Sequence, residues 1–165
     1  MIDDRLGELR QSADSYDLVF ERRLSQPVEK MWAALTVPER ISEWLMTRTE
    51  VDLRIGGRFA LDWIDGAHAM VGEIVALDPP RLIAWTWPHT EHPDSVVRWE
   101  LAPDGGGCRL TLTQTRLRRP HLLDVAAGWH AYLDGLPGGA ADDITPWSVA
   151  RERAVFERYR ALAPA

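Results

Sequence analysis

The residues of this 165-residue chain that could do chemistry are few: five histidines, one cysteine and a scatter of carboxylates. His89 and His92 stand two residues apart, with Glu91 and Asp94 beside them. That spacing could offer ligands to a metal, but a zinc site wants three or four ligands in a held geometry. The segment contains prolines, and no second cluster at metal spacing follows, so no metal site is assigned. His68 and His130 are alone in sequence. His130 and Asp134 are one helical turn apart, and the carboxylate could hold an imidazole proton; the expectation is an exposed i, i+4 pair. Cys108 opens a strand after a glycine turn. A reactive thiol needs a basic or helix-terminal setting, and Arg109 faces the other way, so the cysteine reads as inert. There is no G-x-S-x-G, H-E-x-x-H, P-loop or G-x-G-x-x-G pattern. Gly105-Gly106-Gly107 lies between strands and reads as a turn. Strand parity sends Asp62, Glu73, Arg98 and Glu100 outward and Gln114 inward. No acid stands opposite its base, and no catalytic residue is assigned.

What remains is aromatic. There are eight tryptophans against three phenylalanines and three tyrosines. Trp63, Trp85, Trp87 and Trp99 share the inward parity of their strands. Trp129 sits on a helix stripe, and Trp32 and Trp44 on short helices. Two readings stay open. Large rings dominate core burial, and binding pockets are mostly apolar with a few polar groups. A cavity in this chain would be walled by Phe59, Trp63, Met70, Trp85, Trp99, Gln114 and Trp129.

The elements that must position these side chains follow from periodicity. Leu6 to Leu24 reads as a hairpin turning at Ala13-Asp14-Ser15, because Tyr16, Leu18, Phe20 and Arg22 alternate with Asp17, Val19 and Glu21. Pro27 suits a first helical position. Val28, Met31, Trp32 and Leu35 make one helical face. Pro38 ends that helix and starts a second, which carries Ile41, Trp44 and Leu45. Strands are expected over Val51 to Ile55, through Phe59, Leu61 and Trp63, and, after the Asp65-Gly66 turn, over Ala67 to Leu77. Gly72 marks a bulge or a close approach. Asp78-Pro79-Pro80 ends that strand. Ile83, Trp85 and Trp87 alternate next. His89 to Asp94 is a polar loop. Val97, Trp99 and Leu101 lead through an Asp104–Gly107 turn to Leu110, Leu112 and Gln114. Short connections make this an antiparallel meander. Leu122, Ala126, Trp129, Leu133 and Leu136 then form the stripe of a long helix, which Pro137-Gly138-Gly139 stops. Thr145-Pro146 opens a last helix, with Val155, Tyr159 and Leu162 as its apolar face. The fold class is α+β: a curved antiparallel sheet covered by a long C-terminal helix. The chain reads as one domain, 1–165, with a core at about 6–136 and a helical extension at 140–162.

Composition narrows the classes of function. The apolar share of 45% and charged share of 27% are those of a globular chain. The formal net charge is −6. The only basic cluster is Arg116, Arg118 and Arg119, so no nucleic-acid partner is expected. No apolar run approaches the roughly 18–20 residues that span a bilayer, and Met1-Ile2-Asp3-Asp4 does not begin a signal peptide. With a single cysteine, a reducing cytoplasm is the expected compartment.

Several segments resemble the helix-grip (SRPBCC) superfamily, which includes START domains and Bet v-type allergens. The branch is that of homologues of the activator of heat-shock-protein-90 ATPase. The resemblance rests on VEKMWAALTVPERISEWL at Val28–Leu45, GGRFALDW at Gly56–Trp63 and GEIVALDPPRLIAWTW at Gly72–Trp87. It continues through GGGCRLTLTQT at Gly105–Thr115 and GWHAYLDGL at Gly128–Leu136, so it covers about Leu6 to Leu136. It implies a sheet gripping the long helix around a hydrophobic cavity. The chain departs from it twice. Relatives often carry histidine at the position of Gln114, and their long helix commonly runs past the point where Pro137-Gly138-Gly139 interrupts it. The leading expectation is a binding protein for a small hydrophobic molecule, with no cofactor, no membrane partner and a possible homodimer. The resemblance leaves two alternatives open. One is a polyketide cyclase or aromatase-like enzyme, for which only Gln114 and His130 with Asp134 are on offer. The other is a chaperone-interacting module, although the eukaryotic activators carry an additional N-terminal domain for which this chain has no room.

Overall fold

Alternation and proline punctuation divide the chain into eight strands and four helices in a computed structural model that describes residues 5–66, 68–136 and 146–162. The order is β1 (Glu8–Ser12), β2 (Ser15–Leu24), α1 (Val28–Thr36), α2 (Pro38–Leu45), β3 (Thr47–Val51), β4 (Arg58–Trp63), β5 (Ala69–Asp78), β6 (Leu82–Thr86), β7 (Val96–Asp104), β8 (Gly107–Leu117), α3 (Leu122–Asp134) and α4 (Val149–Leu162). All strands join one antiparallel sheet in the order β1-β2-β8-β7-β6-β5-β4-β3. Strands β3 to β8 are the expected meander. The N-terminal hairpin then pairs β2 with β8.

The curved sheet holds α3 against its apolar face. Trp129 of α3 meets Trp99 of β7 edge to face at 5.5 Å, and His130 meets Phe20 of β2 at 6.0 Å. The period-two pattern explains that face: Leu18, Phe20, Phe59, Leu61, Ile74, Ile83, Trp85, Val97, Trp99, Leu110 and Leu112 are all buried. Asp62, Glu73 and Glu100 on the opposite parity are exposed. This is the helix-grip arrangement.

Three details differ from expectation and a fourth narrows it. The first meander strand is Thr47–Val51 and not Val51–Ile55. Thr47 is buried and bonds the Thr49 hydroxyl, whereas Leu53 and Ile55 project into solvent. Pro27 is the N-cap residue of α1, one place before the helix; Pro38 does open α2. Gly72, expected as a bulge or a close approach, is the close approach: an added Cβ would collide with the Thr86 carbonyl oxygen. The register shift lies further on, between Ile74 and Ala76. Helix α4 begins at Val149, where the Ser148 hydroxyl accepts the Arg151 N–H at 3.1 Å. Of its expected apolar face, Val155 and Tyr159 are buried but Leu162 is exposed. The expected stop at Pro137-Gly138-Gly139 and cap at Thr145 lie outside the described residues.

Candidate functional site

One side of α3 is not packed on the sheet. Between it and the strands lies a cavity of about 780 Å³. Asp124, Val125, Gly128, Trp129 and Tyr132 of α3 form its floor. Trp63, Asp65, His68 and Met70 reach it from the β4–β5 hairpin, and Trp87, His89 and His92 from the connection after β6. Leu45 and Met46 at the end of α2, Gln114 of β8, His121, and Trp147 with Glu152 also border it.

Of the seven sequence-expected wall residues, Trp63, Met70, Gln114 and Trp129 border this cavity. Phe59, Trp85 and Trp99 do not, and the expectation is corrected there. Phe59 and Trp85 stack at 3.9 Å with planes 6° apart, Trp85 stacks on Trp99, and Trp44 closes on Trp99 edge to face. These rings fill the space behind the wall. Strand parity gives a face of the sheet and not a depth. The indole N–H groups of Trp85 and Trp99 find no acceptor among the described residues.

The wall itself is held rigid by hydrogen bonds. The Trp129 indole N–H donates to Gln114 Oε1 at 2.6 Å, and Gln114 Nε2 donates to Ser95 Oγ at 2.9 Å. Both ends of the buried amide are engaged, so Gln114 positions Trp129. The Trp63 indole N–H donates to the Tyr132 hydroxyl at 3.0 Å. Burial pushes the Tyr132 phenol up to about 12; the Trp63 bond opposes this, and the charges of Glu152 and Asp65 add to it. The phenol therefore stays protonated across ordinary pH. Trp147 stacks on Tyr132 at 5.5 Å and donates to Glu152 Oε2 at 2.7 Å.

His92 comes from the polar loop after β6 and is buried. Its Nδ1 accepts the Arg118 N–H at 2.9 Å, which places the ring proton on Nε2. Nε2 has no partner among the described residues. Burial, and then His89 beside it, hold His92 below the ordinary histidine value. Cys108 is fully buried, and burial raises its thiol above the ordinary value.

The His130–Asp134 pair was expected to be exposed, and this too is corrected. His130 is 0% exposed and Asp134 6%, because α4 covers them. His130 Nε2 stands 3.9 Å from Asp134 Oδ2. The Tyr159 hydroxyl lies 3.2 Å from His130 Nδ1 and accepts the Gly7 N–H at 2.7 Å. Two N–H groups of Arg151 reach Asp134 Oδ2 at 2.9 and 2.6 Å. This network ties α4 to α3 and to the N-terminal segment, away from the cavity.

Sequence reasoning missed Gly128, Tyr132 and Trp147. Gly128 is the informative one. An added Cβ there would meet nothing within 4 Å. A glycine in a helix interior costs about 1 kcal/mol against alanine, and here it leaves the cavity floor open.

The sequence model of the family described as Activator of Hsp90 ATPase homolog 1-like protein matches residues 25–138. The chain belongs to this family. Within the chain the match runs from just before α1 to just past α3, so it takes in every cavity element except Trp147 and Glu152. Among solved structures, the chain resembles CalU16 from Micromonospora echinospora with 29% identity and a TM-score of 0.74, covering 96% of each chain. It is similar to the protein encoded by gene BPP1335 from Bordetella parapertussis at 26% identity and a TM-score of 0.72, covering 100% of this chain and 96% of that one. The Aha1 dimer from Colwellia psychrerythraea shares the fold at 13% identity and a TM-score of 0.65, over 75% of this chain and 98% of that one. No curated protein is similar enough in sequence to count as a relative. Among the described residues, no helix is long and apolar enough to cross a membrane.

Proposed function

We propose that this chain binds a small hydrophobic molecule in the cavity between α3 and the sheet. The observation that carries this reading is the cavity itself: about 780 Å³, with Trp63, Met70, Trp87, Trp129 and Tyr132 among its borders. That size is within the usual range for small-molecule sites. The cyclase-like alternative had His130 and Asp134 as its polar pair. Both are packed beneath α4, and the Gln114 amide is already engaged at both ends. Binding without chemistry is therefore the better-supported reading. Native mass spectrometry of the purified protein, with a titration by the neutral dye N-phenyl-1-naphthylamine, tests it. A bound species or a saturable change in tryptophan emission is expected. Absence of both would overturn the reading.

A further inference from the structure

The fixed charges at the cavity border are of one sign, with four histidines, His68, His89, His92 and His121, beside them. The border holds three carboxylates, Asp65, Asp124 and Glu152, and among the described residues no lysine or arginine. Asp124 has His121 at 3.4 Å, and Glu152 accepts the Trp147 indole N–H. Among the described residues, neither is paired with a lysine or arginine. The negative potential reaches inside, since Glu152 and Asp65 both disfavour ionisation of the Tyr132 phenol. The aromatic groups point the same way. Trp87 stands at 61° to Trp63 and 65° to Trp129, and all three rings border the open volume. Aromatic rings attract a cation through their negative faces, best of all when the rings are tryptophan. Carboxylates at the rim add long-range attraction for the same sign.

We infer that the ligand is a cationic amine or quaternary ammonium compound with an apolar body, its charge held against Trp63, Trp87 and Trp129 and its approach steered by Asp124 and Glu152. This rests on the proposed binding function and narrows its ligand class. A neutral apolar molecule would use the rings only for area. An anion would meet the carboxylates, with histidines but no lysine or arginine among the described border residues to receive it.

Three probes of matched shape test the assignment: phenyltrimethylammonium, its neutral isostere tert-butylbenzene, and the anion 4-tert-butylbenzoate. Each is titrated against the intact protein and read by tryptophan emission and by saturation-transfer NMR. The cation is expected to bind about tenfold or more tighter than the neutral isostere, a difference of about 1.4 kcal/mol. The anion is expected to bind weakest. Trp87→Leu should reduce the cation's advantage to less than about threefold, and Asp124→Asn, at an exposed position, should weaken the cation alone. Equal or tighter binding of the neutral or anionic probe would overturn the cationic assignment while leaving the apolar cavity intact. If none of the three binds, both readings fall.

Discussion

Gln114 and His92 show how single side chains set this cavity. Gln114 stands on a strand parity that would otherwise carry an apolar residue, and its amide closes a buried chain from Ser95 to Trp129. Gln114→Leu would leave the Trp129 N–H and the Ser95 hydroxyl without their partner. A buried polar group left unsatisfied costs about 1–3 kcal/mol. The variant should therefore unfold about 2–4 kcal/mol more easily in urea; a change under about 1 kcal/mol would contradict the positioning role. His92 makes a pH prediction. Its folded value lies below the ordinary histidine value, so below about pH 6.5 the unfolded chain binds a proton that the folded chain resists. The stabilisation is full above that pH and declines as pH falls toward the folded value. Between pH 7.5 and 5.5, His92→Gln should show a shallower loss of stability than the unsubstituted protein, and an unchanged slope would contradict the buried neutral ring. At this scale the sequence was half legible. Parity found Trp63, Met70, Gln114 and Trp129 for the inner face, but it could not separate them from Phe59, Trp85 and Trp99 one layer deeper. His92 has no periodic signal because it lies in a loop, and only the fold buries it.

Helix α3 is the element on which the account turns, because it serves three neighbours. Its Trp129 and His130 touch the sheet, His130 and Asp134 meet α4, and Asp124, Val125, Gly128 and Tyr132 face the cavity. The apolar stripe was legible from spacing. The cavity side was not, since it carries a glycine, an acid and a tyrosine in place of a run of large apolar residues. Gly128→Ala should raise stability by about 0.5–1 kcal/mol, because it removes unfolded-chain freedom and meets no clash. A destabilised variant would mean that the floor is tighter than described. Helix α4 depends on the Arg151–Asp134 contact. The Asp134 side chain is 1% exposed, against 27% for Arg151. Arg151→Ala strands a buried carboxylate, and breaking a buried pair in this way costs about 3–5 kcal/mol. The expected signature is early loss of α4 protection in hydrogen exchange. Protection equal to that of the unsubstituted protein would contradict the clamp. The i, i+4 spacing of His130 and Asp134 was visible in the sequence. Their burial was not, because nothing in the spacing says that a later helix will cover them.

At the scale of the molecule, seven of the eight tryptophans take part in ring contacts among the described residues, and their surroundings divide them into two groups. Trp44, Trp85 and Trp99 are core, packed with Phe59. Trp63, Trp87, Trp129 and Trp147 surround an open volume. Core and cavity are thus both present, which is why composition and parity supported either reading equally. The central claim is that this volume is a binding site, and Gly128 offers the most direct measurement of it. Titration of N-phenyl-1-naphthylamine into the protein and into Gly128→Phe compares the open cavity with one filled from its own floor. Saturable one-site dye fluorescence is expected for the protein, and at least about tenfold weaker binding for the variant at a melting temperature no lower. Equal dye binding by both, with the variant folded, would contradict it.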